Sequence, residues 1–202
     1  VKPWITKESD LECFRQVVRP CKPDDLRPEA RAAVTQARAL ADQYRLATMA
    51  SIGLGLTGAQ HQFGAEPLCL MTIENPGLVD AYLEHEHQLN LRAIEVFGEL
   101  GVDIVRRNGF YETADFYGPD TLERFIGPRI RREAEAARSA GMLSSYTVHT
   151  GIMPILDYLA SLPVDSYFGI DIAFHGVDLA QVCRTLSPNK SFWIGPSSVY
   201  HL

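Results

Sequence analysis

The stretch "YTVHTGIMPILDYLA", residues 146–160, decides how the chain is read. Alternating apolar residues run up to His149, a glycine follows, and Pro154 opens an apolar pattern of helical spacing. Short alternation of this kind marks a strand. A proline in a first turn marks a helix start, because its missing N–H is not needed there and its φ is already helical. A further short apolar run, "VDSYFGIDIAF", covers 164–174. Strand, helix and strand joined by short connections form a βαβ unit, whose strands are parallel.

The same unit recurs outward in both directions. Upstream, "VDIVRRNG" at 102–109 is a strand, and "GPDTLERFIGPRIRREAEAARSAG" at 118–141 is a helix broken before Pro128 and capped at Gly141. Asn75 and Pro76 start a helix that runs to about Leu100, with Leu78, Val79, Tyr82, Leu89, Ala93, Val96 and Phe97 on helical spacing. "LATMASIGLGL" at 46–56 is a buried strand behind an Ala-rich helix at 27–45, and 57–74 is a loop with a short helix around "EPLCLMTI". Downstream, "VDLAQVCRTLS" is a helix and "KSFWIGP" at 190–196 a fifth strand. Residues 1–24 are linker-like, with a short helix in "TKESDLECF" capped by Thr6 or Ser9. The expectation is an α/β chain of one domain over 1–202, with five parallel strands wrapped by helices in an open sheet or a barrel.

Composition narrows the function classes. With a net charge of −6 and 22% charged residues, no nucleic-acid or anionic-membrane partner is expected. No apolar run approaches the roughly 18 residues of a spanning helix, and "VKPWITKESD" lacks the layout of a signal peptide. Cys13, Cys21, Cys69 and Cys183 form no CxxC pair, which fits free thiols in a reducing, cytoplasmic setting.

In a parallel sheet, open or closed, chemistry gathers where strands end and helices begin. That edge carries "GLTGAQHQFG", "GFYETADFYG", His149 to Gly151, Asp171 to His175, and Gly195 to Ser198. His149 there is either a proton donor or ligand working near neutral pH, or a strand-end histidine bonded to backbone. Glu112, after Tyr111, is either a general base and ligand-orienting group or a helix-capping loop carboxylate. Asp171, four residues before His175, could fix that ring's tautomer. Strand alternation turns one of Arg106 and Arg107 inward, where it could grip a substrate carboxylate with two hydrogen bonds; Arg107 is taken as that residue. In "EHEH", 84–87, residues two apart do not share a helix face, so a solvated face is expected. Gly53, Gly55 and Gly58 fit a G-x-G-x-x-G count, but the helix that should follow starts weakly, so a flexible rim loop is expected. Arg129, Arg131, Arg132 and Arg138 read as a solvated helix face.

In order, "ENPGLVDAYLEHEHQLNLRAIEVFGELGVDIVRRNGFYET", "YGPDTLERFIGPRIRREAEAARSAG", "YTVHTGIMPILDYLASLPVDSY" and "GVDLAQVCRTLSPNKSFWIGPSS" resemble the uroporphyrinogen decarboxylase superfamily, which includes cobalamin-dependent methyltransferases. The resemblance is collinear over most of residues 40–198. It implies a TIM-barrel-like (β/α) fold that is incomplete, with five of eight strands present. Either the chain is a fragment, or another chain, as in a homo-oligomer, or a local rearrangement covers the two unpaired edges. In the methyltransferase branch this strand ends His-x-Cys-Gly and the His and Cys bind zinc. Here it reads His149-Thr150-Gly151, so the resemblance implies a degenerate zinc site with His149 as the remaining ligand. It also implies a corrinoid-linked methyltransferase-like enzyme acting on a small molecule or a corrinoid protein. His149, Glu112 and His175 would be catalytic, and Arg107, Tyr111, Asp171 and Trp193 would bind substrate. The alternatives are a carboxy-lyase of tetrapyrrole biosynthesis and a non-catalytic scaffold member.

Overall fold

Five strands lie side by side in the order in which the chain makes them: β1 (Met49–Ile52), β2 (Ile104–Asn108), β3 (Leu143–Thr147), β4 (Ser166–Asp171) and β5 (Ser191–Gly195). Every neighbouring pair is parallel. The computed structural model describes residues 2–20, 28–174 and 176–195.

The intervening helices are α1 (Glu8–Val17) and α2 (Pro28–Tyr44) before β1, α3 (Leu56–Phe63), α4 (Ala65–Glu74) and α5 (Pro76–Glu99) before β2, and α6 (Pro119–Phe125) and α7 (Gly127–Ser139) before β3. A 3₁₀ turn at Met153–Ile155 leads into α8 (Leu156–Ser161), and α9 (Leu179–Leu186) precedes β5. Parallel crossovers are right-handed, so a sheet that grows in one direction keeps its helices on one face. A doubly wound sheet reverses its strand order at a switch point. The order here has no reversal, so it is an arc of a TIM-type barrel: an outer, helix-covered face and an inner one.

Alternation along the strands assigns side chains to these faces. Ile52 and Val105 pack with Ile94 of α5 and Ala137 of α7 on the outer face, and Tyr146 and Tyr167 join the larger outer core. The inner face therefore receives Ser51, Arg106, Asn108, Ser145, Thr147, Phe168 and Trp193. Registers line these up as Ser51–Arg106–Ser145 and Thr147–Phe168–Trp193 across neighbouring strands.

The helix-start expectations hold at Asn75, whose side chain accepts from the Leu78 amide at 3.3 Å, and at the α6/α7 break before Pro128. Three differ. The segment after β1 is not a flexible loop but the helix α3, with Leu56, Ala59 and Phe63 fully buried. Its first turn is held by side chains remote in sequence, which no local periodicity reveals. In α1 the N-cap is Lys7, and Asp10 accepts from both the Thr6 amide and hydroxyl. Arg129 is buried, bonded to the Phe125 carbonyl, Asp80 and Glu84. Among the described residues no helix is long and apolar enough to cross a membrane.

Ile94, 1% exposed, ties α5 to the outer face of the sheet. Ile94→Ala should cost about 2–5 kcal/mol through lost burial and a residual cavity. In urea titration the midpoint should fall while the slope stays unchanged.

Candidate functional site

Arg107 and Glu112 sit where the sequence places them along the chain, yet on the other side of the sheet from the expected site. Arg107 shares the outer face with Val105 and enters the sheet–helix layer. Its Nη1 donates to Glu133 Oε2 of α7 at 2.7 Å and its Nη2 to Glu112 Oε1 at 3.4 Å. The other Glu133 oxygen accepts from His87 Nδ1 and Asn90 Nδ2 of α5, each at 2.9 Å. A carboxylate is the acceptor, so Nδ1 carries the His87 proton. Glu112 is fully buried, and its Oε2 accepts from the Tyr146 hydroxyl at 2.5 Å. Arg107 is thus no free grip for a substrate carboxylate, and Glu112 has no oxygen left for a base or ligand role at the mouth. The expected solvated "EHEH" face is corrected as well, because His87 is buried and Glu86 is partly buried.

This layer also builds the turn from β1 into α3. Four successive amides each find a side chain: Gly53 N–H donates to Asn90 Oδ1 at 2.8 Å, Leu54 and Gly55 to Glu86 Oε1 at 2.7 and 2.8 Å, and Leu56 to Glu112 Oε1 at 2.7 Å. A glycine-rich turn with convergent amides is the usual seat of a phosphate. Here the protein's own carboxylates occupy it, which removes the dinucleotide alternative for Gly53, Gly55 and Gly58. Gly55 is required: its φ is +56°, and a Cβ would lie 2.0 Å from Glu112 Oε1 and 2.1 Å from Arg107 Nη2.

Three carboxylates around one guanidinium have divergent protonation. Burial opposes ionisation of Glu133, but Arg107 with the hydrogen bonds from His87 and Asn90 outweighs it and holds Glu133 below the usual carboxylate range. For Glu86 and Glu112 burial wins, and both are pushed up despite Arg107. Burial also disfavours the charge on Arg107, but Glu133, Glu112 and Glu86 together keep it protonated.

The mouth lies on the inner face. His149 falls two residues past β3, and its neighbour Val148 is buried in the outer core, so His149 turns inward with Thr147. Its ring meets Phe110 edge-on, with centroids 5.1 Å apart. Gly169, at φ +80°, makes room for it, since a Cβ there would be 3.1 Å from His149 Nε2. Asp171 at the end of β4 donates its amide to the His149 carbonyl at 3.0 Å. Burial lowers the His149 pKa and the Asp171 charge raises it in part, leaving it below the ordinary imidazole value. The shift favours the neutral imidazole, the form a proton acceptor needs. Adjacent rim loops are joined by Thr150 Oγ1 donating to Asp115 Oδ2 at 2.6 Å and by Ala114 N–H donating to the Gly151 carbonyl at 3.1 Å.

Of the residues singled out from sequence, His149 and Asp171 come together. Trp193 is 48% exposed and pairs with Phe168 on the inner face, centroids 6.2 Å apart. Tyr111 is 45% exposed, meets Phe116 edge-on, and donates its amide to Thr57 Oγ1. His175 lies outside the described residues. Sequence reading took Arg107 rather than Arg106 as the inward arginine and did not single out Phe110 or Phe168. Alternation in β2 turns only one of the two arginines inward, but Ile104 and Val105 are both apolar and buried, so the apolar pattern does not say which.

The zinc implied by the resemblance needs about three protein donors in a catalytic site. Among the described residues no three His, Cys, Asp or Glu side chains are grouped to hold a metal ion. Cys69 lies on α4 and Cys183 on α9. The described residues thus do not fit a zinc centre.

No protein-family model matches the chain, and no curated protein does. Among solved structures the chain is similar to a methyltransferase from Methanosarcina mazei. The TM-score is 0.66 at 13% identity, and the match covers 84% of this chain and 49% of that one. The likeness is one of fold. The chain spans about half the length of that neighbour, in keeping with a barrel arc of five parallel strands.

Glu112→Gln and Glu112→Ala should separate sharply. Glutamine can still accept from Leu56 and pair with Tyr146. Alanine leaves the Leu56 amide and the Tyr146 hydroxyl unpaired, at a cost of about 2–4 kcal/mol. Because the folded Glu112 pKa is raised, its stabilising contribution is complete below the ordinary carboxylate value of 4.5 and is lost as pH rises through the folded value. Glu112→Gln mimics the neutral acid, so its stability relative to the parent should improve as pH rises from 4.5, measured by urea denaturation across pH. Arg107→Met should cost about 3–5 kcal/mol, because Glu133 would be left buried without its partner.

Proposed function

We propose that the chain is a corrinoid-linked methyltransferase-like enzyme whose reaction centre is the inner-face mouth around His149. The reading is supported by one observation above all: a partly buried imidazole, set against Phe110 at the carboxyl end of a barrel strand, in a fold similar to a methyltransferase. The substrate class that follows is a methyl acceptor carrying an acidic proton, such as a thiol.

The chain's own groups have definable work in that reaction. Phe110 and Gly169 fix the plane and position of the His149 ring, and Asp171 restrains its backbone. As the acceptor's lone pair bonds to the methyl carbon, the bond from that carbon to its donor breaks and that electron pair leaves with the donor. The acceptor's proton passes to the His149 imidazole. A corrinoid, when bound, supplies the methyl group. No step is assigned to zinc. Among the described residues β1 and β5 each pair with a single strand. Such edges invite pairing with another chain, so we include self-association in the proposal.

The test is methyl transfer from methylcobalamin to a small thiol, followed by corrinoid absorbance. His149→Ala should lower kcat by about 10²–10⁴-fold, the usual contribution of general acid–base catalysis. The acidic limb of kcat/KM should have its midpoint below 6.5, the ordinary imidazole value. Asp171→Asn removes the charge that raises the His149 pKa and should move that limb further to acid. A His149→Ala rate equal to the parent's, or no turnover by the parent protein, would overturn the reading.

A further inference from the structure

Arg106 is the inner-face counterpart of Arg107, and its charge environment differs. Arg107 is enclosed by carboxylates, whereas Arg106 makes no ion pair among the described residues. Its Nη2 has one long bond of 3.3 Å to Ser51 Oγ, and its guanidinium rests on the Phe168 ring, 4.6 Å from the centroid. Arg106 is on β2 and Phe168 on β4, so the side chain crosses β3 on the inner face. Beneath it lie Ser145 and Thr147 of β3, which are 2% and 0% exposed.

The hydrogen bonding of this patch is incomplete. Arg106 Nε, Ser145 Oγ, Thr147 Oγ1 and Asn108 Oδ1 are all buried atoms without a hydrogen-bond partner. All four sit on the same face of adjacent strands. Buried polar atoms are nearly always paired, so four orphans in one patch point to a partner that the described residues do not supply. Three can donate: the guanidinium Nε–H and two hydroxyls. They surround a positive charge in a protein whose net charge is −6. Beside them the partly buried Phe168 and the exposed Trp193 form an aromatic wall.

We propose that this patch is a binding subsite for a carboxylate carried on a flat apolar body. The carboxylate lies against Arg106, whose fork offers two parallel N–H donors, and Ser145 and Thr147 add hydroxyl donors from below. The flat body lies along Phe168 and Trp193, where ring contact is favourable and the partly exposed indole becomes covered. The site adjoins the His149 mouth but does not depend on methyl transfer, because it follows from the charge and hydrogen-bond deficit of the inner face alone.

The test is a fluorine-NMR titration of the protein with 4-fluorobenzoate and with its neutral analogue 4-fluorobenzamide. Saturable binding of the acid is expected, with the amide weaker by about tenfold or more, the loss of one charge-assisted pair. Arg106→Gln should bring the acid down to the amide's affinity while thermal melting and near-ultraviolet circular dichroism stay as in the parent. Arg106→Lys keeps the charge but loses the fork, and should bind with intermediate affinity. The proposal is overturned if the acid shows no saturable binding to the parent protein, if acid and amide bind alike, or if Arg106→Lys binds as tightly as the parent. The readout needs no turnover, so its failure leaves the methyl-transfer reading standing, and the failure of turnover leaves the subsite standing.

Discussion

The Arg107 guanidinium, held between Glu133 and Glu112 in the layer between sheet and helices, is the constraint on which the rest of the arrangement depends. It is a charge removed from water, tolerable only because carboxylates and hydrogen bonds meet it there. Its partners come from β2's own following loop and from α7, and His87 and Asn90 of α5 bond the same Glu133, so one ion pair joins the crossovers on both sides of β2. The same carboxylates then reach the turn after β1, where Glu86 and Glu112 take the amides that open α3. The polar layer therefore fixes the outer side of the mouth without facing it.

This arrangement explains why two adjacent arginines in one strand serve different ends. A strand turns successive side chains to opposite faces. On the outer face Arg107 is matched by acids and made structural. On the inner face Arg106 meets hydroxyls and an aromatic ring and is left unmatched. Reading the strand from its sequence gives the alternation but not its phase. Ile104 and Val105 are both buried, so the apolar pattern that would normally reveal the covered face is the same on either side. The phase is set by Glu133, 26 residues later on α7, a distance at which local patterning is silent.

Other parts of the fold were legible for reasons that can be named. Pro76, Pro119 and Pro154 each announce a first turn, and Gly101 and Gly141, at φ +73° and +79°, announce the ends of α5 and α7. The five strands follow from short apolar runs between such signals, whereas their order in the sheet does not. What escaped was tertiary in origin. "EHEH" reads as a wet surface by local spacing, yet α5 is packed against α3 and α7 as well as β1, so a wider arc of it is enclosed and His87 finds Glu133. Segment 56–63 reads as a loop because its helix start has no local cap, and the cap is supplied by Glu112, 56 residues away. Of the mouth, His149 and Asp171 were legible as strand-end residues, whereas Phe110 and Phe168 were hidden among ordinary apolar positions.

The contrast between the two glycine-rich approaches to the sheet edge carries the last step. After β1, the amides of Gly53 to Leu56 converge as an anion site would, but acids from the chain already fill it, and Gly55 is glycine because those acids crowd its Cβ position. After β3, Gly151 accepts at its carbonyl from Ala114, and the loop leaves His149 half-buried between Phe110 and β4. Chemistry-bearing groups are therefore sorted by face rather than by loop. Acids that sequence position assigns to the rim, Glu112 above all, are spent in making the rim rigid. Among the described residues the inward-alternating Arg106, Ser145, Thr147 and Asn108 form one patch of unmet hydrogen bonding, with His149 beside them, while single atoms such as Arg107 Nε and His87 Nε2 are unpaired on the outer side. A site that must hold a reacting group in place needs both: a polar layer pinned by buried ion pairs, and polar groups with open hydrogen-bonding capacity facing the cavity.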